Sequence, residues 1–145
     1  MIAVEKMLFL RNVPLFSRME TSELAHVASI TREVTYPGGC RIIQEGEHGD
    51  HMFLIVDGEV LIQRGATPVK TLGPNDFFGE MSIIDGEPRS ATATAVMDCL
   101  LLRIDREDFL ELLATYNSAA VSVVRALNQR LRDVLPALER TQRGM

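Results

Sequence analysis

Glu80 and Arg89 stand nine positions apart in the stretch Phe78-Gly79-Glu80-Met81-Ser82-Ile83-Ile84-Asp85-Gly86-Glu87-Pro88-Arg89-Ser90-Ala91-Thr92. Their chemistry suggests a ligand with two unlike faces. A phosphate is held economically where free backbone N–H groups and the positive end of a helix point at it. Gly79 allows close approach, and Glu80, Met81 and Ser82, opening a short helical turn, supply the amides. Arg89 is a planar donor that grips two phosphate oxygens where a lysine would not. Ser90 and Ala91 add a hydroxyl and an amide. A carboxylate repels a phosphate, so Glu80 needs another role, and accepting from a ribose 2′-hydroxyl of the same ligand is one. No Gly-x-Gly-x-x-Gly or Walker lysine accompanies the stretch, which places the expected phosphate close to the ribose. The plainer alternative is a Glu80–Arg89 salt bridge across a turn.

The elements that must hold these residues fall into three zones of one expected domain, residues 1–145: helices over 1–30, strands over 31–104 with the cassette at 78–92, and helices over 105–145. A short helix over residues 3–10 ends before Pro14. Thr21 is read as the cap of a second helix with Leu24, Val27 and Ala28 on one face. From Thr31 the pattern changes to short β-type runs: Thr31 to Tyr36, Cys40 to Gln44, Met52 to Val56, Val60 to Gln63, Val69 to Leu72, Thr92 to Val96 and Leu100 to Ile104. Glycine-rich turns separate them. The fold class is mainly β with flanking helices, an antiparallel β-roll of jelly-roll type. Gly79 to Ile84 interrupts it as a single helical turn.

Beyond Ile104, Asp105 is read as the cap of a third helix, with Asp108 at the capping-box position and Phe109, Leu112, Leu113 and Tyr116 as its stripe. Asn117 or Ser118 would cap a fourth, with a seam of Ala120, Val124, Leu127, Leu131, Val134 and Leu138. That seam either lies back on its own roll or pairs with a second subunit as a homodimer. Pro136 is expected to kink or end the helix.

Taken together, the stretch resembles the phosphate-binding cassette of the cyclic-nucleotide-binding domain family: Phe-Gly-Glu, a small helical turn, then Arg-Ser/Thr/Ala-Ala. The likeness extends to Val13-Pro14-Leu15-Phe16, Gly38-Gly39, Glu45-Gly46 through Gly49-Asp50, the hairpin Ile55 to Val60, and Arg130-Leu131-Arg132. The resemblance implies a regulatory sensor with cAMP, or alternatively cGMP, as its ligand. It implies that Arg89 takes the exocyclic phosphate oxygens. Phe78, Gly79, Met81, Ser82, Ser90 and Ala91 would complete the cradle, and Glu80 would take the ribose 2′-hydroxyl. Ile83 and Ile84 would relay binding to Phe109 and Leu113. A residue of the last helix would close over the base, with Arg132, Val134 and Leu135 as candidates. Asn75 stands where the family often has glycine and tolerates the same left-handed backbone.

Composition narrows the alternatives. The chain is 46% hydrophobic and 24% charged with a net charge of -5, a globular balance that argues against a nucleic-acid surface. A helix-turn-helix output would need more than the nine residues after Pro136. Met7-Leu8-Phe9-Leu10 is too short for a signal core or a span, so no membrane insertion is expected. Cys40 and Cys99 read as reduced, buried thiols of a cytoplasmic protein. Cys40, His48 and His51 lack metal-ligand spacing, and no nucleophile elbow, metal motif or Ser-His-Asp order accompanies Glu80, Asp85 and Glu87, so no metal, no cofactor and no enzyme activity are expected. The partner or effector is not legible. The competing function is a degenerate roll used only for oligomerisation or protein docking.

Overall fold

A computed structural model of the chain describes residues 1–143, with side chains through residue 136. The element order is α1 (Ala3–Leu10), α2 (Thr21–Ile30), β1 (Thr31–Tyr36), β2 (Arg41–Ile43), β3 (His51–Asp57), β4 (Val60–Arg64), β5 (Thr67–Leu72), β6 (Phe77–Phe78), α3 (Glu80–Asp85), β7 (Thr92–Ala95), β8 (Cys99–Asp105), α4 (Arg106–Thr115) and α5 (Asn117–Arg143). Two four-stranded sheets, ordered β1-β8-β3-β6 and β2-β7-β4-β5, form the roll, and every strand pairing is antiparallel.

The sheets differ in what covers them, and the sequence carries that difference. β3 and β8 are buried on both faces. Phe53, Ile55, Cys99 and Leu101 face the other sheet, joined there by Val60, Phe78 and Ala93. Met52, Leu54, Leu102 and Ile104 face a second core with the helices, through Leu10, Leu24, Phe109, Leu112 and Val123. Strands covered on both faces read as continuous apolar runs, which is how Met52 to Val56 reads. β5 lies at a sheet edge and is exposed until Leu72. It starts at Thr67, earlier than its apolar run, because an edge position leaves Pro68 no ladder bond to lose.

Several local expectations are corrected. Thr21 is the first residue of α2 and not its cap: the cap position is Glu20, whose N–H donates to Glu23 Oε1 at 3.0 Å. Asp105 precedes α4, but its carboxylate accepts from His51 Nδ1 at 3.0 Å and makes no capping bond. Tyr116, not Asn117 or Ser118, precedes α5, and Ser118 donates instead to the buried Glu23. Cys40 is only partly buried, while Cys99 is buried. β6 is a two-residue strand that no alternation could announce.

The expected seam of α5 lies back on the roll only in part, with Leu127 packed against the core. Val124, Leu131 and Val134 are 64%, 57% and 49% exposed, and the buried face is Ala119, Ser122, Val123 and Ala126. Small residues win because α5 approaches the core closely, with Ser122 Oγ donating to Leu15 O at 2.8 Å. Pro136 does not end the helix either. It forfeits the bond to the Arg132 carbonyl, but Arg132 is exposed and water can satisfy that oxygen. Leu138 lies outside the described side chains.

Candidate functional site

The cassette begins where β6 ends. Gly79 adopts φ 85 and so turns the chain from β6 into α3. A Cβ there would stand 3.0 Å from Arg89 Nη1 and 3.1 Å from the His51 carbonyl oxygen, so glycine meets both a left-handed and a steric demand. α3 then runs through Asp85, and its first residues, Glu80, Met81 and Ser82, line a cavity of about 580 Å³. That size suits a small organic ligand.

Arg89 is 6% exposed and fixed from two sides. Its Nη1 donates to Gly79 O at 2.8 Å and its Nη2 to His51 O at 2.6 Å. These commit two of its five N–H groups and leave three for a ligand. The backbone of Arg89 is braced as well: its N–H donates to Glu47 O at 2.8 Å, and Gly46 N–H donates to its carbonyl at 2.9 Å. Gly49 lies so close beneath the guanidinium that a Cβ would fall 2.0 Å from Nε. The Gly46 to Asp50 loop, which the sequence offers as turn chemistry and as part of the family likeness, is therefore the bed of the arginine. Burial pushes the Arg89 pKa below its ordinary value, while Asp50 and Glu80 pull it back up.

Glu80 is also 6% exposed. Burial raises its pKa above the ordinary value of 4.5, and Arg130, its own backbone N–H and Arg89 oppose that rise. The plain alternative of a Glu80–Arg89 salt bridge is not what forms. Glu80 Oε1 accepts from Arg130 Nη1 of α5 at 3.0 Å, and Arg130 Nη2 donates to Phe77 O at 2.7 Å. The Arg130 guanidinium also stacks 3.5 Å from the centroid of the Phe77 ring.

All eight expected cassette residues, Phe78 to Ser82 and Arg89 to Ala91, line this one cavity. Ile43, Ile62, Val69 and Leu72 give it an apolar wall, and Lys70 stands among them. From α5 the lining residues are Arg130, Asp133 and Val134. Of the three lid candidates only Val134 is therefore at the cavity. Arg132 and Leu135 fall off that face because 130, 133 and 134 follow the i, i+3, i+4 spacing of one helix side. Arg130, Lys70 and Asp133 were missed as site residues. Arg130 had one available signal, its place in the Arg130-Leu131-Arg132 motif.

The relay pair also divides. Ile83 is fully buried in the core that contains Phe109, with Leu113 packed against it, whereas Ile84 is 39% exposed. Adjacent helical positions point about 100° apart, so only one can face α4. Away from the cassette, His48 pairs with Asp50 at 2.8 Å and His51 with Asp105. Among the described residues no helix is long and apolar enough to cross a membrane.

With this geometry in place, the sequence profile of the cyclic nucleotide-binding domain matches residues 33–116. The chain belongs to the cyclic nucleotide-binding domain family. A cyclic nucleotide-gated potassium channel of Rhizobium etli is 38% identical over 120 residues, which is 81% of this chain and 33% of the channel. The catabolite activator protein of Thermus thermophilus superposes with a TM-score of 0.79 at 32% identity, covering 89% of this chain and 63% of that one. The regulatory domain of Toxoplasma gondii PKA with cAMP gives 0.75 at 26% identity over 87% of this chain and 50% of that one. The chain spans about a third of the channel's length, and the family's shared element is the β-roll with its flanking helices.

Proposed function

We propose that this family member is a cyclic-nucleotide sensor whose ligand is cAMP, with cGMP the alternative nucleotide. The observation that carries the reading is one cavity lined by Arg89, which commits only two of its five N–H groups to protein carbonyls, by the first residues of α3 and by the buried carboxylate of Glu80. The exocyclic phosphate sits against Arg89, the amides of α3, Ser90 and Ala91. Glu80 accepts the ribose 2′-hydroxyl, and the base lies along Ile62, Val69 and Leu72 beneath Arg130 and Val134. Similarity to the PKA regulatory domain solved with cAMP supports the choice of nucleotide.

The sensor works by population shift. Arg130 already bridges α5 to Glu80, so a ligand that competes for this carboxylate changes the contact that holds the outer part of α5. Ile83 carries the change to Phe109. The exposed seam of Val124 and Leu131 pairs with a second copy, and an effector domain or partner reads the movement in the cytoplasm. Catalysis plays no part. Calorimetry with cAMP and with cGMP tests the reading: heat saturating at one ligand per chain is expected. No heat from either nucleotide at tens of micromolar would leave the roll as a docking or oligomerisation domain.

A further inference from the structure

α3 is a short helix, and its far end poses a problem that the cyclic-nucleotide reading does not address. The last carbonyls of a helix have no intrahelical partner. Gly86 N–H donates to Ser82 O at 2.9 Å and satisfies one. The next, Ile83 O, accepts from Arg106 Nε, the first residue of α4, at 3.1 Å. Gly86 leaves room for that side chain, since a Cβ there would stand 3.3 Å from Arg106 Nη2. The same arginine is fixed through its backbone, its N–H donating to Asp50 O at 2.8 Å. Asp50 follows Gly49, on which the Arg89 guanidinium rests.

Arg106 thus holds the C-terminal end of α3 by its side chain and the bed of Arg89 by its backbone. Its guanidinium makes no ion pair within 4.0 Å among the described residues, although Asp50, Asp105, Glu107 and Asp108 share its surroundings. The charge is directed at a helix terminus that carries partial negative charge. Beside it, Ile83 provides the apolar contact between α3 and α4.

We propose that Arg106 is a positioning residue: it sets the height of α3 against Arg89 and, together with Ile83, makes α3 and α4 move as one body when the cavity fills. The inference rests on the cyclic-nucleotide reading for its second half only. Its first half concerns the ligand-free protein.

The test uses the full chain with Arg106→Ala and Arg106→Lys. The chain has no tryptophan, so Arg132→Trp, at an exposed position off the cavity, gives a single reporter of α5 in each background. Without ligand, amide exchange at Gly86 is expected to quicken about tenfold in Arg106→Ala. With cAMP, affinity is expected to fall about tenfold, the scale of one charge-assisted hydrogen bond. The fluorescence change at saturation is expected to shrink as well, and Arg106→Lys is expected to restore part of it. A loss of affinity from general loosening would leave the saturated change intact. Unchanged exchange at Gly86 overturns the inference whether or not nucleotide binds, and a full saturated change in Arg106→Ala overturns the coupling. Failure of the parent protein to bind cAMP or cGMP, with exchange at Gly86 still quickened, overturns the cyclic-nucleotide reading and leaves the positioning of α3 supported.

Discussion

Arg130 of α5 and Glu80 of α3, fifty positions apart, are joined by a hydrogen bond of 3.0 Å at the mouth of the cavity. This contact connects the helix farthest along the chain to the carboxylate that the ligand would use. It is asymmetric, with Glu80 buried and the Arg130 side chain 35% exposed. Removing the arginine therefore harms the carboxylate more than the reverse. Arg130→Ala is expected to lower ligand-free stability by about 1–2 kcal/mol, discounted for solvent screening of the exposed partner. Urea denaturation of the two single variants and of Arg130→Ala/Glu80→Gln together gives the coupling, and additive losses would show that the pair contributes nothing.

Arg89→Ala is expected to cost about 2–5 kcal/mol of cAMP binding, because a buried phosphate then lacks its cation. Arg89→Lys should recover little, since the two carbonyl contacts at 2.8 and 2.6 Å use the fork of a guanidinium. Calorimetric titration at one salt concentration makes the comparison, and wild-type affinity in the lysine variant would contradict the forked role.

The burial of Glu80 also shapes stability against pH. Its folded pKa lies above the ordinary 4.5, chiefly through desolvation. The favourable contribution of such a group is complete below the unfolded value and is lost as pH rises through the folded one. Wild type should therefore lose stability relative to Glu80→Gln as pH is raised from about 4 to about 7. Urea midpoints across that range decide it. A difference that grows in favour of wild type with rising pH would mean that Arg130 outweighs burial. The same variant should discriminate less between cAMP and its 2′-deoxy analogue.

Ile83 and Ile84 offer a contrast within one turn. Ile83→Ala is expected to destabilise by about 2–5 kcal/mol, as a buried large-to-small change does. Ile84→Ala should stay within about 0.5 kcal/mol, as exposed positions usually do. Thermal or urea unfolding distinguishes them, and equal losses would place both side chains in the core.

Leu131, at 57% exposure, stands in the middle of the uncovered α5 seam. Leu131→Glu is expected to convert a dimer to a monomer in sedimentation velocity, because a charge at a seam position is desolvated only in the paired state. A wild-type protein that sediments as a monomer at every concentration would remove the pairing.

Much of this protein is local, and local features are legible in a sequence. The strand limits of β1 and the helical turn after Gly79 follow from β-type patterning and turn chemistry, and the left-handed Asn75 from the family resemblance, whereas α1 has its expected bounds but exposes Val4 and Leu8 and buries Leu10. The cassette itself is contiguous, so its eight lining residues could be named together. What escaped was whatever depends on the rotation of one element against another. Heptad spacing predicts a seam from Ala120 to Leu138, but close approach to the core buries Ala119, Ser122 and Ala126 and leaves Val124 and Leu131 exposed. Arg132 and Leu135 were plausible by position and face away by helical phase, while Arg130 turns to the cavity.

By itself, then, the sequence determined the roll, the flanking helices and a cradle with one cation and one carboxylate, because each is encoded within a few residues. Only the tertiary structure decided what those two charges meet: Arg89 rests on two backbone carbonyls and a glycine from a distant loop, and Glu80 is held by α5. Hydrogen bonds are short and directional, so partners remote in the chain become readable only once folding has set them within about 3 Å of each other.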